Sequence, residues 1–261
     1  MSKTVIKIDE LTAGYGKKEI IKDLSIDINE GEIISIIGPN GVGKSTLLKT
    51  IRNEIPSIKG KVSYRSDDGE FRDIKLIKDI ERARLIAEVS TEKIRSEMLL
   101  AKEVVELGRY PYTNRFGILS DEDKRKVDEA VEIVGARKLL DKEFLRMSDG
   151  EKQIIMLARA IAQDTKVLIL DEPTSYLDIR FKIKIMKVIK RLVSEKNISC
   201  IMSLHELELA KYISDRVLAV NNDKRIENKD TDNTFREENI KDLYGLSEED
   251  LKIYKEIYNV I

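Results

Sequence analysis

A turn suited to holding an anion lies near the start of the chain, at Gly38-Pro39-Asn40-Gly41-Val42-Gly43-Lys44-Ser45-Thr46. The spacing fits G-x-x-x-x-G-K-[ST], in which glycines let the backbone fold tightly and aim several N–H groups at one phosphate. Lys44 can reach the β- and γ-phosphates of a nucleotide, and the Ser45 hydroxyl can take a position on Mg²⁺. A second chemical group lies at Asp171-Glu172, two carboxylates directly after the apolar run Val167-Leu168-Ile169-Leu170. Asp171 is placed to hold Mg²⁺, and Glu172 to polarise a water for in-line attack on the γ-phosphate. Without a phosphate loop in the same chain, that pair could equally be a capped turn before Pro173.

These groups need elements to position them. Ile33-Ile34-Ser35-Ile36-Ile37 reads as a buried strand leading into the loop, and Leu47-Leu48-Lys49-Thr50-Ile51 as the opening of a helix leaving it. A helix starting there adds the positive end of its dipole to the anion site. Residues 167–170 read as a short buried strand, 179–196 as a long helix, and 198–204 as another strand ending at His205. Alternating strands and helices imply a parallel sheet covered on both faces. Residues 4–8, parts of 20–28 and the region near Val62–Tyr64 read as short antiparallel strands around the phosphate-loop strand, with a hairpin turn at Asp67-Asp68-Gly69. Ser120 with Asp123 forms a capping-box signal ahead of Val127, Ala130, Val131 and Val134, so residues 92–147 read as mainly helical. Ser247 with Asp250 gives the same signal for a terminal helix.

The 261 residues can bury a substantial core. Lys and Arg (47) nearly balance Asp and Glu (48), so nothing global favours nucleic acid. The single Cys200 lies in an apolar run, can form no internal disulfide, and fits a reducing compartment. The first residues lack a signal-peptide apolar stretch, and no run has the length of a bilayer-spanning helix. The expectation is a cytosolic chain, or one attached to a membrane through a partner.

With these motifs the sequence resembles the nucleotide-binding subunits of ATP-binding-cassette (ABC) transporters, over about residues 4–245. The resemblance implies an α/β P-loop NTPase of the ABC type: a mixed sheet core with an antiparallel β-subdomain and a helical subdomain. It implies an ATPase domain at 1–228, with the helical subdomain at about 92–147, and a C-terminal extension at 229–261. Gly38–Ser45 matches the Walker A motif, and Val167–Glu172 matches Walker B with its catalytic glutamate. Ser148, Gly150 and Glu151, in Met147-Ser148-Asp149-Gly150-Glu151, stand where the family carries its signature. Asp149 replaces a glycine there and is expected to point away or to cap the helix. Asp178 ends a D-loop-like Ser175-Tyr176-Leu177-Asp178, and His205, the only histidine, stands at the family's switch position. Tyr15 fits the aromatic that stacks on adenine. Thr91 stands where a glutamine that binds Mg²⁺ is usual, with Glu92 as an alternative contributor.

The resemblance further implies a dimer that sandwiches two ATP molecules, with Ser148 and Gly150 of one copy meeting the γ-phosphate held by the other. ATP and Mg²⁺ are the implied cofactors. The run Glu103–Tyr112 resembles the corresponding segment of ATPases that drive iron–siderophore, haem and cobalamin uptake. The implied partners are therefore a second copy, integral-membrane permease subunits and, indirectly, a substrate-binding protein, with the chain at the cytoplasmic face of the membrane. A soluble ABC ATPase of iron–sulfur cluster assembly shares the core motifs and is the alternative.

Overall fold

The computed structural model describes residues 3–90 and 99–258. In chain order the elements are β1 (Thr4–Tyr15), β2 (Lys18–Asn29), β3 (Ile33–Ile37), α1 (Lys44–Ile51), β4 (Lys59–Arg65), β5 (Phe71–Asp73), α2 (Asp79–Leu85) and β6 (Ile86–Val89). They continue with α3 (Ala101–Glu106), α4 (Asp121–Val134), α5 (Asp149–Ala162), β7 (Val167–Asp171), α6 (Ile179–Lys196) and β8 (Ser199–Ser203). The last are α7 (Leu207–Ile213), β9 (Arg216–Val220), β10 (Ile226–Asp230), α8 (Thr231–Thr234), α9 (Glu237–Tyr244) and α10 (Glu248–Tyr258). The chain divides into two compact units. One comprises Thr4–Ile28, Glu32–Lys75 and Ser203–Ile261; the other comprises Met1–Lys3, Asn29–Gly31 and Leu76–Met202.

The first unit carries an antiparallel sheet in the order β2-β1-β4-β5. The β1 and β4 strands pair from Ile6 opposite Tyr64 to Thr12 opposite Lys59, with a shift of register between Asp9 and Thr12. The expected short strands are in fact long, because β1 and β2 run 12 residues each. Nor do they surround the phosphate-loop strand: β3 lies in a different sheet, paired in parallel with β9 from Ile34 opposite Arg216 to Ile37 opposite Ala219. All five residues of β3 are buried, as a strand covered on both faces requires. Antiparallel β10 extends β9 and makes this sheet mixed. The terminal helix α10 forms as its sequence signal implies: the Ser247 N–H donates to Asp250 Oδ2 at 3.0 Å, and the Asp250 N–H donates to Ser247 Oγ at 3.1 Å.

In the second unit β6 and β7 pair in parallel, from Ile86 opposite Val167 to Val89 opposite Leu170. The helix α4 is capped by Ser120, which accepts from the Asp123 N–H, and ends at Gly135 in the left-handed conformation (φ 61°). Its stripe of Val127, Ala130, Val131 and Val134 is buried, and full burial of each valine stabilises the fold by about 2 kcal/mol.

A buried ion pair joins helix ends in this unit. Arg109 donates through Nε to Asp123 Oδ1 and through Nη1 to the Ala162 carbonyl, both at 2.8 Å. Both side chains are 5% exposed. The cation thus meets the C-terminal carbonyls of α5 while the anion lies at the N-terminus of α4, so each charge suits the helix end it touches. Burial pushes the Asp123 carboxyl up, but hydrogen bonds from Ser120 and Arg109 outweigh it and hold the group below the usual carboxylate range. Arg109→Ala would leave that carboxylate buried and short of its partner. A loss of about 3 kcal/mol in unfolding free energy is expected, read by chemical denaturation.

Candidate functional site

The anion loop is built within the first unit. It leaves β3 through Gly38 (φ 144°) and enters α1 through Gly43 (φ 117°), conformations that side-chain-bearing residues avoid. There is also no room for a side chain. A Cβ on Gly38 would sit 2.3 Å from the Val220 carbonyl oxygen, and one on Gly43 would sit 2.4 Å from Ile20 Cγ2. The glycines therefore let the loop lie flat against β9 and β2 as it enters α1. Lys44 is 4% exposed and folds back across the loop, its Nζ donating to the Gly38 carbonyl at 2.8 Å and the Pro39 carbonyl at 3.0 Å. Ser45 and Thr46 complete the first turn of α1, anchored one turn on by Thr50 Oγ1 donating to the Thr46 carbonyl at 2.8 Å.

Tyr15 and His205 belong to the same unit. Tyr15 ends β1, just before the turn at Gly16, and is half exposed. The β2 strand that follows that turn carries Ile20, the residue against Gly43. Beyond β8, the Leu204 N–H donates to the Ile36 carbonyl at 3.1 Å, so the chain reaches His205 alongside the end of the strand that feeds the loop. The strand ends at Ser203, one residue earlier than the sequence suggests.

The carboxylates and the signature belong to the second unit. Asp171 is the last residue of β7 and is buried. Glu172 follows in the left-handed conformation (φ 50°), which costs a side-chain-bearing residue on the order of 1 kcal/mol. Its carboxylate is oriented by Ser175, whose Oγ donates to Oε2 at 3.1 Å. Asp178 caps α6, accepting from the Arg180 and Phe181 N–H groups at 2.9 and 3.1 Å.

Ser148 caps α5. Its Oγ accepts from the Glu151 N–H at 3.3 Å, while Glu151 Oε2 accepts from the Ser148 N–H at 3.0 Å. The cap is therefore Ser148 and not Asp149, which occupies the first helical position, where its negative charge suits the dipole. Gly150 is pressed against Phe181, whose ring atoms would lie 2.4–2.6 Å from a Cβ there. Thr91 and Glu92 lie outside the described residues. Sequence reasoning missed Ile20, Val220 and Phe181, because each acts by filling space beside a glycine and carries no chemical motif.

Both groups of residues fit what a nucleotide and Mg²⁺ require. The loop provides a glycine cradle, a buried ammonium and a helix N-terminus for phosphate. Among the described residues no group of three or more His, Cys, Asp or Glu side chains could hold a metal. The Ser45 hydroxyl and the Asp171 carboxylate are each an oxygen donor of the kind Mg²⁺ takes beside its waters and phosphate.

Residues 21–175 match the ABC transporter family. The chain belongs to this family. Its fold is the ABC ATPase cassette, and like the family's ATP-binding subunits it binds and hydrolyses ATP. The cassette is 42% identical over 242 residues to an uncharacterized ABC transporter ATP-binding protein of Methanocaldococcus jannaschii, covering 93% of this chain and 82% of that protein. It is 35% identical to the iron(3+)-hydroxamate import ATP-binding protein of Bacillus subtilis, covering 82% and 78%. A dimeric ATP-binding cassette in a post-hydrolysis state, bound to ADP and Pi, superposes with a TM-score of 0.72 at 26% identity, covering 87% of this cassette and 98% of that chain. Among the described residues no helix is long and apolar enough to cross a membrane.

Proposed function

We propose that this cassette is the ATP-hydrolysing subunit of an importer for an iron–siderophore, haem or cobalamin-like substrate. In this reading it works as an ATP-sandwich dimer on separate integral-membrane permease subunits at the cytoplasmic face, and a substrate-binding protein delivers the cargo. The observation that carries the reading is the likeness to an iron(3+)-hydroxamate import protein along most of both chains. The run Glu103–Tyr112 supports it from the sequence side. No observation favours the iron–sulfur assembly alternative. The ATPase domain is assigned to residues 1–228, its helical subdomain to about 92–147, and the extension to 229–261.

In this reading Gly38–Thr46 bind the triphosphate, Lys44 neutralises its β- and γ-phosphates, and Tyr15 stacks on adenine. Ser45 and Asp171 are oxygen donors of the kind Mg²⁺ takes, and Thr91 is assigned as a third. Bound Mg²⁺ supplies charge neutralisation at the phosphate oxygens. Glu172 takes the proton of the attacking water, and His205 stabilises the γ-phosphate as its charge redistributes. Ser148, Gly150, Glu151 and Asp178 serve the ATP of the second copy. Affinity purification of the tagged chain from detergent extracts tests the assignment. An integral-membrane protein is expected to co-purify in stoichiometric amount, and recovery with soluble proteins alone would overturn the importer reading.

A further inference from the structure

Beyond the capping box, the signature end of α5 carries one more contact: Lys142 Nζ donates to Glu151 Oε1 at 2.7 Å. The other carboxylate oxygen, Oε2, accepts from the Ser148 N–H at 3.0 Å and from the Ser148 hydroxyl at 3.1 Å. A serine hydroxyl has one proton to give. Ser148 can therefore donate to Glu151 or to an incoming phosphate oxygen, but not to both. The Glu151 carboxylate occupies the role that a γ-phosphate must take over.

The position of Lys142 is fixed by backbone as well as by charge. Its carbonyl accepts from the Ala101 N–H at 2.9 Å, and its own N–H donates to the Leu139 carbonyl at 3.0 Å. The ammonium, ahead of the hydrogen bonds from Ser148, holds the Glu151 carboxyl below its usual range. An ammonium on Oε1 draws the charge of the carboxylate toward itself and makes Oε2 a weaker competitor for the Ser148 proton. As an exposed pair it contributes little to stability, so its value lies in that competition.

We propose that Lys142 is a positioning residue for nucleotide engagement, acting through Glu151 to release the Ser148 hydroxyl to the γ-phosphate. The proposal rests on the sandwich-dimer reading. The test is steady-state ATP hydrolysis by the full chain, alongside binding of a fluorescent ATP analogue and thermal melting. Lys142→Ala is expected to lower kcat/KM by about three- to tenfold, as loss of one screened charge at short range implies. The loss should shrink as salt is raised, while analogue binding and melting stay as in the parent. Lys142→Arg is expected to restore activity. Glu151→Gln removes the charge that Lys142 offsets, so in that background Lys142→Ala should have no further effect.

Parent-like kcat/KM for Lys142→Ala would overturn the proposal. So would an equal fractional loss with and without Glu151→Gln, or a drop in melting temperature that tracks the lost activity. Ser148→Arg separates this inference from the reading beneath it. If that variant still hydrolyses ATP normally, the sandwich reading fails and takes this inference with it. If Ser148→Arg is inactive while Lys142→Ala is normal, the role of Lys142 alone is wrong.

Discussion

Glu172→Gln is expected to lower ATP turnover by about a thousandfold while leaving ATP binding intact. The substitution keeps the size and shape of the side chain, and its amide can still accept from the Ser175 hydroxyl that orients Glu172 at 3.1 Å. The left-handed backbone at this residue is equally available to glutamine, so neither fold nor placement should change. What disappears is the ability, proposed above for Glu172, to take a proton from water as the water attacks. Since chemistry then stalls after nucleotide has been bound, the variant should accumulate as an ATP-bound dimer. Single-turnover hydrolysis, together with size-exclusion chromatography in ATP, reads both effects. Hydrolysis at the parent rate would remove Glu172 from the mechanism.

Lys44→Ala is expected to act one step earlier, weakening ATP binding by about a hundred- to thousandfold, as truncating a buried charge partner does. The ammonium is buried and folded across its own loop, where it donates to the carbonyls of Gly38 and Pro39. Removing it takes away the charge proposed to meet the phosphates and also uncovers two carbonyl oxygens that would repel them. Equilibrium titration with ATP should therefore show a larger loss than with adenosine, which carries no phosphate. Equal losses for the two ligands would indicate a collapsed loop and not a missing charge.

The parts of this cassette legible from sequence are those with short-range causes. The phosphate loop, the capping boxes at Ser120 and Ser247 and the long helix α6 each follow from a few neighbouring residues, and each forms where the sequence places it. Strand pairing is set by residues far apart, and the local pattern does not show it. The β3 strand pairs with β9, although their sequences lie on opposite sides of both carboxylate and signature motifs. Nothing within Ile33–Ile37 indicates that choice, because a strand buried on both faces is apolar throughout. Of the two expectations for Asp149, pointing away or capping the helix, the structure excludes capping, and for a different reason. Both Ser148 and Asp149 are good cap formers, and the glutamate three residues after Ser148 decides between them by closing a reciprocal pair.

Gly150 and Phe181 come from different motifs, yet they share one volume. Because the phenyl ring fills the space a Cβ would need, the two positions are sterically coupled. Alanine at 150 would require the ring at 181 to swing aside or to be replaced by something smaller, so a change at either position is felt at the other. A glycine at 150 in such a background thus answers to the neighbour on α6, whatever else it meets.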